Sequence, residues 1–445
     1  MDKNTIIGFV LIAALLIGFS WYTQPSEEDI AKQRMQDSIT ALAKKKAEES
    51  RNAEAQASNQ NAQNNVNADT TAVFYKSLSG KAQNIILKNS KLELTLSTKG
   101  GTVEKAVIKD FKDNKGNKDL TLFDSKDQSL KFMLEGKETN IITSDLYFTP
   151  SNITDSTVTM TAVGSNGRSL VMNYKLGKNY LLHFSLKANG MSGLFSPNYN
   201  KLDIEWTDHC RQQEKGFTFE NRYASLTYHF TDGGTDYISE TSEKVDEKIE
   251  DAIDWVAFKN QFFSAVMIAK DDLGTNSLMT SIPQEKGSGY LKQYGAKVKT
   301  SFDPTGNNST ELEFYYGPND FRLLQKIEKE STFNKDLELH RLVYLGWPLF
   351  RIINRWFTLY VFDWLTGLNI NMGIVLILIT LLLKVITYPL VKKSYMSSAK
   401  MRVLKPKLEE ATKQYNKPED QMQKQQAMMA LYAKYGVSPL SGCLP

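Results

Sequence analysis

Apolar and polar positions along the chain change period several times, and each change marks a different kind of element. The first is a nearly unbroken apolar run over 6–22, from Ile6 to Tyr22, with Lys3 before it and Glu27, Glu28 and Asp29 after it. At about 17 residues it is at the short end for a membrane-spanning helix. It reads as transmembrane helix 1 behind a cytoplasmic tail, 1–5. The apolar part of a cleaved secretion signal has the same pattern, with Gly18 and Ser20 as a weak cleavage site. On either reading the chain beyond is exported, because the charge bias keeps the N-terminus in the cytoplasm.

Over 23–79 the pattern disappears. The stretch AKKKAEESRNAEAQASNQNAQNNVNA has too few large apolar residues to bury a core. It reads as a charged, Asn/Gln-rich extracytoplasmic tether. From Gly80 a period of two sets in, with LELTLST, STVTMTAV, SLVMNYKL and YLLHFSLKA separated by Gly, Asn and Asp turns. These runs predict a large antiparallel β-sandwich, and the segment 80–345 is long enough for its own core. At its C-terminal end FRLLQKIEKE and LELHRLVYL space apolar residues at three and four, which predicts helices closing this domain.

Segment 346–366 places Arg351, Asn354, Arg355 and Thr358 on one helical face and aromatic and aliphatic residues around the rest, as expected of a helix lying in the bilayer interface. Soluble cores also hold aromatic amphipathic helices, but a spanning segment follows within a few residues. That segment, 370–391, is INMGIVLILITLLLKVITYPLV, transmembrane helix 2. Lys392, Lys393, Lys400, Arg402, Lys405 and Lys407 come directly after it and mark the cytoplasmic side. Residues 392–437 then read as a cytoplasmic helical hairpin broken near Asn416 and Lys417, and 438–445 as the start of a third transmembrane helix, truncated. The predicted fold class is thus a membrane protein: an α-helical transmembrane part, a large extracytoplasmic antiparallel β-sandwich domain and a cytoplasmic helical hairpin.

Lys384 is the residue that changes the picture most. A charge near the centre of a spanning helix costs roughly 2.5–3.5 kcal/mol on insertion scales. It lies eight residues before Lys392, about 12 Å along a helix, farther than a lysine stem comfortably reaches. Thr380, Thr387 and Tyr388 fall near it on the same face, completing a polar stripe. Either the stripe faces a wet interior or Lys384 snorkels from a tilted helix, and spacing does not choose between them.

Composition adds little beyond this. A net charge of +4 on 445 residues calls for no nucleic-acid partner, although the basic hairpin could meet lipid headgroups, ribosomal RNA or an acidic protein. Cys210 and Cys443 fall in segments assigned to different compartments, so no disulfide between them is expected. His183, His209, His229 and His340 show no paired metal-ligand spacing and read as surface or packed β-domain residues. Ser397 and Lys400 make a Ser-x-x-Lys match without its companion motifs. The expectation is a protein that is not an enzyme and has no cofactor, no metal and no small-molecule substrate. Two rival readings are a membrane-tethered carbohydrate-binding or carbohydrate-active protein and an envelope tether.

KVITYPLVKKSYMSSAKMRVLKPKLEE, together with MMALYAKYGVSPLSGCLP, resembles the second spanning helix, cytoplasmic hairpin and entry to the third spanning helix of the YidC/Oxa/Alb membrane protein insertases. LELTLSTKGGTVEKAVI and FYYGPNDFRLL resemble the large periplasmic domain of the Gram-negative branch of that family. The resemblance implies an inner-membrane insertase and chaperone, with a hydrophilic groove open to cytoplasm and lipid and closed towards the periplasm. It consumes no nucleotide. Its partners would be nascent inner-membrane proteins and membrane lipids, with the Sec translocon and the ribosome as further candidates. Lys384 stands where the family usually has a groove arginine; it keeps the charge and loses the bidentate fork. Thr380, Thr387 and Tyr388 would complete the substrate-binding groove, and Lys400, Arg402, Lys405 and Lys407 would make hairpin contacts. Family members continue through four more spanning helices, whereas this sequence stops at Gly442, Cys443, Leu444 and Pro445, so as given it is expected to lack groove walls.

Overall fold

A computed structural model describes residues 73–114, 116, 118–238, 244–346, 348–413 and 421–435. The predicted first spanning helix (6–22), nearly all of the tether, the hairpin break at Asn416 and Lys417, and the start of a third spanning helix lie outside the described residues. Two compact units divide the chain: one holds the β-rich region through Pro318 together with 326–338, the other holds 319–325 and the chain from Leu339 onward.

Every sheet of the first unit is antiparallel. Strands β1 (Asn84–Lys88), β2 (Leu92–Ser97), β3 (Val103–Lys112) and β4 (Asp119–Phe123) form a four-stranded meander. There follow β5 (Gln128–Leu134), β6 (Ile141–Ile142), β7 (Thr149–Ser151), β8 (Thr157–Val163), β9 (Ser169–Leu176), β10 (Leu181–Asn189) and β11 (Lys201–Arg211). After a short helix α1 (Phe217–Tyr223) come β12 (Ser225–Phe230), β13 (Thr235–Tyr237), β14 (Val245–Ile249) and β15 (Ile253–Lys259). The last are β16 (Phe263–Ala269), β17 (Ser277–Pro283), β18 (Tyr290–Ser301) and β19 (Thr310–Pro318). One sheet has the order β13-β12-β15-β16-β19-β10-β9-β8-β7 and another β14-β17-β18-β11-β5-β6.

Aromatic contacts show which faces meet. Trp206 on β11 stacks on Phe258 of β15 at 3.9 Å, and Phe132 on β5 stacks on Phe184 of β10 at 5.2 Å. The six- and nine-stranded sheets therefore face each other, as the alternation in β9, β10 and β11 requires. The four-stranded sheet adds to this predicted sandwich: Phe123 on β4 meets Tyr316 of β19 at 5.3 Å, and Phe111 on β3 meets Phe263 of β16 at 5.1 Å.

Strands β15 and β16 are buried at every position, and their sequences IDWVAFK and FSAVMIA do not alternate. Both faces are covered, so both faces are mostly apolar. The outer cover is partly a strap, residues 331–338, that follows helix α2 (Phe321–Glu330). Trp255 Nε1 donates to the Leu337 carbonyl at 2.7 Å, Lys335 Nζ reaches Asp254 Oδ1 at 2.6 Å, and Glu328 Oε1 accepts from the backbone of Leu337 and Glu338. At the other end of the strap, Glu313 Oε1 accepts from Thr332 N at 2.9 Å and Oγ1 at 2.8 Å and lies 2.9 Å from His183 Nδ1. The helix predicted from LELHRLVYL is absent. Its backbone groups are taken by Trp255 and Glu328, and only a single 3-10 turn, Leu339–Leu342, forms.

The second unit is helical. Helix α3 (Pro348–Ile353) passes through a π-helical turn, Asn354–Thr358, into α4 (Leu359–Thr366), within segment 346–366. Asn371 caps α5 (Met372–Thr412), its Oδ1 accepting from Gly373 N at 2.8 Å, and α6 (Gln421–Lys434) follows. The change at residues 391 and 392 is one of chemistry and not of backbone: α5 runs through it unbroken, 41 residues long.

Candidate functional site

The N-terminal part of α5 is an 18-residue stretch, Met372–Pro389, long and apolar enough to cross a membrane. One side of it packs inside the unit. Val375 and Ile379 are buried with Leu365 of α4, and Val361, Phe362, Ile370 and Leu383 close around them. Val375, Ile379 and Leu383 are spaced by four, so they lie along one ridge. Thr380, Lys384, Thr387 and Tyr388 lie on the adjoining arc, and the structure brings all four sequence-predicted residues onto one exposed face. Tyr388 is 62% exposed.

The two threonines are less available than their sequence suggests. Thr380 Oγ1 donates to the Leu376 carbonyl at 2.8 Å and Thr387 Oγ1 to the Leu383 carbonyl at 2.7 Å. Each hydroxyl proton is held by the helix, and only the oxygen lone pairs face outward. Lys384 is the one charged residue of the 18-residue stretch, so its ammonium is the one full charge on this face of it. Pro389 adds a polar group that a scan for polar side chains misses. Lacking an N–H, it cannot serve the Val385 carbonyl four residues earlier, beside Lys384.

Beyond Pro389 the chemistry reverses. Leu404 and Leu408 are buried against α6, with Met401, Met428, Leu431 and Tyr432 completing a small core. The four predicted contact residues straddle this seam and form no single patch. Lys400 and Lys407, seven apart, flank it on one side, and Arg402 and Lys405, three apart, flank it on the other. Lys407 Nζ donates to Tyr435 Oη at 3.1 Å and sits over its ring, holding the phenol below its ordinary pKa. Lys405 reaches Glu409 at 4.0 Å. Exposed apolar side chains are also present: Tyr395, Val403, Met422 and Met429 are each more than half exposed. Sequence reading missed these because they lie among charges and make no run.

Two family models match the chain, the YidC periplasmic domain over residues 84–360 and the 60Kd inner membrane protein over residues 364–445. A membrane protein insertase YidC of Phocaeicola vulgatus is 50% identical over the whole of this chain, which covers 71% of that protein. The chain belongs to the YidC membrane protein insertase family. Further YidC insertases, from Bacteroides fragilis and Parabacteroides distasonis, are 45% and 37% identical over the whole chain and are covered to 71% and 72% of their lengths. The β-rich part of the family's periplasmic domain thus lies in the first unit, the match continues to residue 360 in the second, and α5 and α6 fall in the stretch matched by the inner membrane protein family. A solved galactose mutarotase related enzyme from Lactobacillus acidophilus is alike at a TM-score of 0.34 and 10% identity, over 53% of this chain and 97% of that one. A likeness at that level bears on no chemistry.

Proposed function

We propose that this chain inserts and helps fold inner-membrane proteins, and that Lys384 with Thr380, Thr387 and Tyr388 forms one wall of a hydrophilic groove through which polar flanks of a client pass. The observation that carries the reading is the exposed Lys384 in the spanning stretch of α5, on the same arc as three polar side chains. A charge facing hydrocarbon is costly; facing a wet groove it is solvated. In a client, the polar flank of a nascent segment has the same problem. A groove that solvates it lets the apolar part partition into lipid while the flank crosses.

On this reading the apolar segment 6–22 crosses outward and 370–391 inward, so that the β domain is periplasmic and the α5–α6 hairpin cytoplasmic. Family membership and the basic residues after Val391 support that topology. Lys400 and Lys407 on one flank and Arg402 and Lys405 on the other would then meet anionic lipid, the Sec translocon or the ribosome.

The test is insertion in cells depleted of their own insertase and supplied with the complete reading frame. Protease protection of a small, acid-tailed membrane substrate reports success. Restoration by the parent and by Lys384→Arg, with loss in Lys384→Ala, is the expected result. Restoration by all three would make Lys384 a snorkelling lysine and remove it from the groove, and restoration by none would favour an envelope tether.

A further inference from the structure

Arg322 lies four residues after β19, in the first turn of α2, and none of the readings above uses it. Its Nε and Nη2 both lie 3.1 Å from Asp363 Oδ2 on α4, and its guanidinium carbon lies 4.9 Å from the centre of the Tyr360 ring. Helix α4 is therefore held on two sides. Val361, Phe362 and Leu365 pack against α5, while Arg322 grips Asp363 and Tyr360.

The grip bears on an aromatic face of the helix that stays largely exposed. Trp356, Tyr360 and Trp364, spaced by four, form a stripe on the side of the helix away from its α5 contact, and they are 67%, 52% and 66% exposed. Rings with a polar edge, exposed together beside a spanning helix, match the water–lipid boundary. Asp363 is the misfit, a carboxylate next to the stripe that would be pressed against lipid phosphates. Arg322 cancels its charge and, being planar and forked, also sets the roll of the helix. In water an ion pair this exposed contributes little. At a lipid surface the lower effective dielectric makes the same pair matter more.

We infer that Arg322 is a positioning residue: its clamp on Asp363 and Tyr360 orients the 346–366 helix so that Trp356, Tyr360 and Trp364 sit on a phospholipid bilayer surface. The inference rests on the interfacial reading of that helix and adds what holds its orientation.

The test uses the full chain in vesicles of phosphatidylethanolamine and phosphatidylglycerol brominated near the glycerol backbone. The quantity read is the tryptophan quenching lost when Trp356 and Trp364 are both replaced by Phe. Arg322→Glu and Asp363→Arg are each expected to lower that quenching by roughly twofold or more, and the exchanged pair Arg322→Asp with Asp363→Arg to restore it. If the parent shows no quenching from Trp356 and Trp364, the interfacial reading falls and the clamp with it. If the parent is quenched and the single reversals change nothing, or the exchange does not restore the signal, the clamp alone is overturned. Recovery in the exchanged pair separates orientation from a fold that has simply been damaged.

Discussion

Single residues carry strong constraints in this chain, and Gly306 is the plainest. It sits in the turn between β18 and β19 at φ +78°, and a Cβ added there would lie 2.0 Å from the Ala188 carbonyl oxygen. Gly306→Ala should destabilise the β domain by roughly 1–3 kcal/mol, read as a lower denaturant midpoint of its β-sheet circular dichroism. Asp303 organises the same turn, accepting from Thr305 N and Asn308 N at 2.8 Å each. Hydrogen bonding, led by the Thr305 hydroxyl, lowers its pKa to about 2. Glu313 illustrates the opposite balance of forces. Burial pushes its carboxyl up, but hydrogen bonds from His183 and from Ser331 and Thr332 outweigh burial and hold it below its ordinary value. A folded pKa below the unfolded one stabilises above the unfolded value, about 4.3 for a glutamate, and that stability is lost as pH falls through the folded value. Acid titration should therefore release the strap at Thr332 below about pH 4, and Glu313→Gln should flatten that part of the stability–pH curve.

At the scale of elements, the strap and the long helix differ in how readable they were. Strands with one wet face announce themselves by alternation, as β9, β10 and β11 do. Strands β15 and β16 do not, because the strap and the neighbouring sheets cover both of their faces. The misread segment from Leu337 follows from the same cause, since tertiary partners took its backbone groups and left no helix to form. Trp255→Phe removes the Nε1 bond to Leu337, which should cost about 1 kcal/mol and raise amide exchange over 331–338 before the rest of the domain. The polar stripe on α5 was legible, since Thr380, Lys384, Thr387 and Tyr388 need only the helical step to line up. What was not legible was the use of both threonine hydroxyl protons inside the helix. Nor was the division of Lys400, Arg402, Lys405 and Lys407 across the α5–α6 seam, which depends on where Leu404 and Leu408 face. Removing that seam with Leu404→Ala and Leu408→Ala should free α6, seen as faster proteolysis between residues 413 and 421 with the spanning part still protected.

Considered whole, the molecule joins a large all-β unit to a helical one whose longest element changes environment without changing backbone. At 41 residues, α5 is about 60 Å long, roughly twice the thickness of a bilayer's hydrocarbon core. Whatever lies beyond Val391 is thus joined to Lys384 by continuous helical backbone, in which Pro389 omits one hydrogen bond of the ladder. A Gly-Gly pair inserted between Lys393 and Ser394 should leave both halves folded, yet reduce insertion of acid-tailed clients as much as Lys384→Ala does, if the two halves act as one body. The same substrate-protection assay checks it, and full activity of the insertion variant would show that the halves work independently.

The unbroken helix also has a mechanical meaning. A helix of this length pivoting in a membrane is a lever, and a tilt of about 10 degrees carries its far end about 10 Å sideways over a length of about 60 Å. A pull on the residues beyond Val391 would thereby move the stripe around Lys384 through the bilayer, and the helix would bend first where Pro389 omits its hydrogen bond.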